Sequence, residues 1–223
     1  MSELADRLAS VRGSIADAAR DAGRHPNEIT TIVVTKFQPA SLVAELAALG
    51  VEDFGENRHQ EAQAKAAELA SLGVRWHFVG QLQSKKARQV RGYATAIHSV
   101  DRASLVDALR SDAATIDAFV QVNLTDDPGR GGVQPDEVDR LAEQVLATPG
   151  LRLRGLMAVA PLGEPPRPAF ARMHLLSERV QNLAPDAQAL SMGMSHDFRE
   201  AILEGATHLR IGTAITGNRP DAG

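Results

Sequence analysis

Eight short apolar runs, each followed by a stretch with helical spacing, constrain the fold of this chain more than any other feature. The runs are TTIVVT at Thr30–Thr35, Val51–Phe54, RWHFV at Arg75–Val79 and AIHSV at Ala96–Val100. They continue with AFVQVN at Ala118–Asn123, LRGLMAV at Leu153–Val159, Ala189–Met192 and His208–Ile211. The intervals read as helices at Ser41–Leu49, Asn57–Leu72, Arg102–Asp112, Asp136–Ala147, Pro168–Leu183 and His196–Glu204. Strands alternating with helices over short turns predict βαβ units and a parallel sheet. Eight of them fit a closed (β/α)8 barrel. An open doubly wound sheet is the competitor. It often opens with a Gly-rich turn, whereas the first strand here is followed by Lys36-Phe37-Gln38-Pro39.

Ahead of the first strand, Leu4, Leu8, Val11, Ile15 and Ala18 recur at spacings of three and four. That is an amphipathic helix, ended by His25-Pro26-Asn27. No linker and no internal repeat interrupts the alternation, and Pro161–Pro168 reads as a loop after the sixth strand. The expectation is an α/β chain: one TIM-barrel domain over residues 1–223 with an extra N-terminal helix.

The 43% hydrophobic content excludes disordered and low-complexity classes. With 24 basic and 28 acidic residues the chain lacks the overall positive charge of a dedicated nucleic-acid binder, and no specific nucleic-acid partner is expected. There is no cysteine, which removes thiolate metal sites, disulfides and a Cys nucleophile. The first residues carry acids where a signal peptide needs bases, and no apolar run approaches a membrane span. A cytoplasmic protein without membrane contact is expected.

A parallel barrel places its chemistry at the C-terminal ends of its strands. After strand one stand Thr35-Lys36, and after strand two Gly55-Glu56-Asn57-Arg58. Strand seven runs into Ser191-Met192-Gly193-Met194-Ser195, and strand eight into Gly212-Thr213-Ala214. These last two turns combine glycine with hydroxyl side chains, which suits an anion approached by backbone N–H groups, and barrels often bind phosphate there. The plainer reading of either turn alone is a tight reversal. Lys36 is a candidate for carbonyl capture as a Schiff base, against the plainer reading of a surface lysine. A phosphate-anchored carbonyl held by a lysine describes pyridoxal phosphate (PLP). It equally describes a phosphosugar in a Schiff-base aldolase.

Several motifs in order resemble one known group. They are Val33-Val34-Thr35-Lys36; Phe54-Gly55-Glu56-Asn57 with Gln60-Glu61; Trp76-His77-Phe78-Val79-Gly80 with Leu82-Gln83; Arg154-Gly155-Leu156-Met157-Ala158; Ser191–Ser195 with Asp197; and Arg210–Ile215. From about residue 5 to residue 219 the chain resembles the YggS/PROSC family of PLP homeostasis proteins, related to the N-terminal barrel of alanine racemase. The resemblance implies that Lys36 holds PLP as a lysine aldimine. It implies that Ser195, Gly212 and Thr213 bind the phosphate, and that Asn57 and Met192 line the cofactor pocket. Arg210 matches the arginine that faces the pyridine nitrogen in the racemase barrel. A guanidinium cannot take up a proton there, so the ring would remain a poor electron sink. The chain departs from the family pattern at Lys85, where the family has Asn, at Arg58-His59 and at Thr216.

A racemase needs a second acid/base facing the cofactor, commonly a tyrosine from a further domain. The one tyrosine here is Tyr93, and no β-domain follows the barrel. The expectation is therefore a PLP buffering and delivery protein without turnover. Its recipients would be apo PLP-dependent enzymes, and it would be a monomer. A racemase-like PLP enzyme using His77 or a water as second base is the first alternative, and the phosphosugar aldolase the second. His77 itself reads more simply as a hydrogen-bonded core residue. The seven histidines form no zinc motif. Pro128-Gly129-Arg130-Gly131-Gly132 reads as a loop rather than a dinucleotide fingerprint, and Lys85, Lys86, Arg88 and Arg91 as a solvated helix face.

Overall fold

The computed structural model describes residues 2–127 and 129–218. Eight parallel strands close into a barrel in simple sequential order. They are β1 (Thr30–Val34), β2 (Asp53–Glu56), β3 (Arg75–Phe78), β4 (Ala96–Val100), β5 (Ile116–Gln121), β6 (Leu151–Met157), β7 (Ala189–Ser191) and β8 (His208–Ile211). β1 pairs with β2 through Val34–Gly55 and closes on β8 through Val33–Ile211. The open-sheet alternative is thereby excluded.

The helices are α1 (Glu3–Asp21), α2 (Ala40–Ala48), α3 (His59–Glu68), α4 (Ala87–Arg91), α5 (Ala103–Ala108), α6 (Val138–Ala147), α7 (Pro166–Leu183), α8 (Phe198–Leu203) and α9 (Thr213–Thr216). α1 starts because the Ser2 hydroxyl accepts the Ala5 N–H at 3.3 Å, capping one of the first-turn donors. Its buried face is the periodic set Leu4, Leu8, Val11, Ile15 and Ala18, with Ala19 beside it. The four larger side chains contribute about 1.5–3 kcal/mol each by burial. This stripe seats α1 against α8 and α9, beside the turn that follows β8.

Strand alternation sorts side chains into two layers. One large apolar cluster, including Val33, Phe54, Trp76, Leu156 and Met192, lies between strands and helices. A small one, Ala96, Phe119, Met157 and Ala189, fills part of the lumen. Gly155 is required where β6 meets β7: its φ is +148° and an added Cβ would lie 1.9 Å from the Ala189 carbonyl oxygen.

Candidate functional site

The strand pairings bring the expected residues to one mouth. β8, β1 and β2 are neighbours, so Gly212-Thr213, Lys36 and Asn57 follow adjacent strand ends. The turn after β7 joins them because the Arg210 N–H donates to the Gly193 carbonyl at 3.0 Å. The Ala214 N–H donates to Ser195 Oγ at 3.4 Å, which ties the turn after β7 to the turn after β8. An added Cβ on Gly212 meets nothing nearer than the Val34 carbonyl oxygen at 3.7 Å. The protein's own atoms therefore leave that side of the turn open.

Lys36 is exposed at this mouth, two residues beyond Val34, and its ammonium has no hydrogen-bond or ion-pair partner among the described residues. Its neighbours are fixed. Thr35 is buried. Its carbonyl accepts from Lys65 Nζ at 2.8 Å and its hydroxyl donates to Glu56 Oε1 at 2.7 Å. Lys65 also donates to Glu56 Oε1 at 2.6 Å, a buried ion pair behind the strand end. Burial pushes the Glu56 carboxyl above its ordinary range, opposed by the hydrogen bonds from Lys65 and Thr35. On the other flank, Phe37 adopts a left-handed φ of +64°, its N–H donates to Glu61 at 3.1 Å, and the Arg58 guanidinium lies 4.7 Å over its ring.

Asn57 lies before α3, not within it. β2 runs on through Gly55-Glu56, and Arg58 is still extended at φ −126°, so the helix begins only at His59. The Asn57 Oδ1 is buried with no hydrogen-bond partner. Gly80 packs on its backbone, where a Cβ would fall 2.2 Å from the Asn57 carbonyl oxygen. A cleft of about 410 Å³ opens beside it, lined by Asn57, Arg58, Phe78, Gln81 and Gln83.

Arg210 is buried on the lumen side below the mouth. It donates to Ser191 Oγ at 2.7 Å and to the Ala158 carbonyl at 2.8 Å. Burial lowers its pKa to about 10, against the pull of Asp197, so it remains a cation at neutral pH. Met192 is fully buried in the cluster between strands and helices, and its neighbour Ser191 takes the lumen face. Ser195 is half-buried and Thr213 exposed at the mouth.

Two residues weighed as second bases are placed elsewhere. His77 is buried, with Nε2 2.9 Å from Asp53 Oδ1 and Nδ1 2.9 Å from His98 Nε2. Tyr93 packs in the apolar layer outside the barrel wall, stacked on His59 with its hydroxyl 3.3 Å from His59 Nδ1. Burial pushes its phenol well above the ordinary tyrosine range. Sequence reasoning missed the Glu56–Lys65 pair and the polar chain inside the lumen. The only advance signal was polar residues at inward positions of strands that otherwise carry apolar ones. The face Lys85–Arg91 is less solvated than expected, since Arg91 donates to the Leu109 and Gly150 carbonyls at 2.9 and 3.0 Å. In the loop after β5, Pro128 lies outside the described residues. No helix among the described residues is long and apolar enough to cross a membrane.

The family described as "Alanine racemase, N-terminal domain" matches residues 15–220. The chain belongs to it. A PLP homeostasis protein of Mycobacterium leprae is 42% identical over 97% of this chain and 93% of its own. Its counterpart from Pseudomonas aeruginosa is 42% identical over 98% and 97%, and that from Escherichia coli K12 39% identical over 98% of each. The YggS/PROSC grouping read from the motifs is thus the correct one. Among solved structures, PipY of Synechococcus elongatus, described with PLP bound, superposes with a TM-score of 0.84 at 36% identity, over 96% of this chain and all of its own. Alanine racemase of Corynebacterium glutamicum shares the fold, with a TM-score of 0.68 at 18% identity over 97% of this chain and 63% of its own.

Proposed function

We propose that this protein binds PLP at the barrel mouth and buffers or delivers it, without turning over a substrate. One observation carries the reading: an uncommitted lysine stands beside two tied Gly/Ser/Thr turns, while the second bases weighed are spent or remote. PLP supplies an aldehyde that condenses reversibly with a primary amine, and a dianionic phosphate. The donor set fits it. Lys36 supplies the amine. Ser195, Thr213 and the backbone at Gly212 supply hydroxyl and N–H donors for the phosphate, on the open side of the Gly212 turn. The unpartnered Asn57 Oδ1 awaits a donor, and Met192 backs the wall from the apolar layer. Arg210, donating only, would face the ring nitrogen without protonating it.

Two features favour a carrier over a racemase-like enzyme. His77 has both ring nitrogens engaged, and Tyr93 lies outside the wall. The names of the relatives, all PLP homeostasis proteins, point the same way. The reading extends to one domain over residues 1–223, a monomer, a cytoplasmic location suited to a chain without cysteine, and apo PLP-dependent enzymes as recipients.

The test is absorption after incubation with PLP and gel filtration, for wild type beside Lys36→Ala. A retained visible band in wild type alone, with no racemisation or transamination of amino acids, is expected. Retention of the band by Lys36→Ala, or amino-acid turnover by wild type, would overturn the proposal.

A further inference from the structure

Arg210 is the end of a continuous hydrogen-bonded chain that crosses the barrel. From Ser191 Oγ on β7 the next link is His98 Nδ1 on β4, at 2.8 Å. His98 Nε2 meets His77 Nδ1 on β3 at 2.9 Å, and His77 Nε2 meets Asp53 Oδ1 on β2 at 2.9 Å. Asp53 also accepts two hydrogen bonds from Arg75, at 2.8 and 2.7 Å, at the N-terminal rim. The four side chains between Arg210 and Arg75 are all buried.

The chemistry of its ends gives the chain a direction. Guanidinium only donates and an ionised carboxylate only accepts. Burial pushes the Asp53 carboxyl up, but hydrogen bonds from His77 and Arg75 outweigh it and hold the group well below the usual carboxylate range. His77 must therefore carry hydrogen on Nε2. With its Nδ1 accepting, His98 must donate from Nε2. Burial, and beside it the Arg210 guanidinium, keeps His98 neutral, so its Nδ1 accepts. Ser191 must then give its proton to His98, which leaves its lone pairs to Arg210.

The opposite direction is poor. A doubly protonated His77 would make His98 donate to Ser191 from Nδ1. Ser191 would then accept from both His98 and Arg210 with its own proton unspent, and two cations would share a buried lumen. An unspent buried donor carries a desolvation penalty.

We propose that Asp53, His77 and His98 are positioning residues for Arg210: a carboxylate near one end of the barrel sets, through two histidine tautomers and one hydroxyl, the acceptor that holds the guanidinium below the mouth at the other end. The consequence for ligand rests on the PLP reading above; the direction of the chain does not.

Nitrogen-15 spectra of the histidines in ligand-free protein test the direction first. Both His77 and His98 should carry hydrogen on Nε2. In Asp53→Asn, whose amide also donates, at least one of them should shift to Nδ1. Ser191→Ala should keep both wild-type tautomers, since Asp53 still sets them, yet release PLP about tenfold faster, the weight of one charge-assisted hydrogen bond. A His98 Nδ1–H tautomer in wild type overturns the chain's direction whether or not PLP binds. Wild-type PLP release from Ser191→Ala overturns its role in holding Arg210. If Asp53→Asn does not fold, the wild-type and Ser191→Ala tautomers decide alone.

Discussion

Acidification should destabilise the ligand-free protein through the histidines inside its barrel. His98 is fully buried, and burial, together with His77, His208 and Arg210, holds its pKa well below the ordinary value. His208 is pushed down to about 4, by burial first and then by His77 and Arg154, against Asp53 and Asp117. In the unfolded chain both return to about 6.5. Below that pH the unfolded chain binds more protons than the folded one, so stability falls as pH falls. For His208 the loss between pH 7 and pH 5 is about 2 kcal/mol, and His98, held down in the same direction, adds to it. The His208 part alone, about 2 kcal/mol, is a large share of the usual 5–15 kcal/mol of a folded domain. The depressed Asp53 adds nothing in this window, because its stabilisation persists until pH falls below the ordinary carboxylate value of about 4. The raised Glu56 acts in the opposite sense, since its folded form takes up a proton more readily as pH drops. Urea unfolding at pH 7 and pH 5, read by the single tryptophan Trp76 packed 5.9 Å from Phe54, measures the difference. His208→Gln should remove about 2 kcal/mol of it. Equal stability at both pH values, or a His208→Gln variant with the wild-type pH slope, would refute the reasoning.

Three further outcomes follow from the site. Ser195→Ala or Thr213→Ala should weaken PLP retention by about 0.5–3 kcal/mol without abolishing it, measured as the release rate. Gly80→Ala sets a Cβ 2.2 Å from the Asn57 carbonyl oxygen, so it should cost more than about 1–3 kcal/mol in urea unfolding and loosen the mouth. Lys65→Met leaves the Glu56 carboxylate buried and unpaired, which should cost about 3–5 kcal/mol at neutral pH and diminish as the carboxyl is protonated.

Much of the architecture was legible because the barrel repeats one physical unit. β4 and β8 occupy the residues their apolar runs mark, and the buried stripe of α1 is the one its spacing predicts. Strand ends were less readable. The second apolar run, Val51–Phe54, overlaps its strand only in part, because the sheet begins at Asp53 and continues through Gly55-Glu56. Asp53 and Glu56 look like solvent residues and are in fact paired inside and behind the wall. The fifth strand starts and ends two residues ahead of its apolar run, because Val122 continues the apolar pattern while leaving the sheet to pair with Val133 in the following loop. The sixth strand likewise starts two residues ahead of its run, since Leu151-Arg152 already belong to it. The helix predicted over Asn57–Leu72 is shorter, ending at Glu68 before a separate turn at Ala70–Leu72. α7 in turn reaches back to Pro166, because proline is tolerated in a first helical turn. The mouth residues were legible as motifs at strand ends. The lumen chain was not, because a hydrogen bond from β4 to β7 joins residues 93 positions apart that no local spacing connects.

The central claim is that one lysine of this chain takes up the aldehyde. The lysines are Lys36, Lys65, Lys85 and Lys86; Lys65 is locked to Glu56, and the other two lie after β3. Borohydride reduction of the PLP-loaded protein, followed by peptide mapping, distinguishes them. A single pyridoxyl label on Lys36 is predicted; a label on any other lysine, or on none, would contradict it.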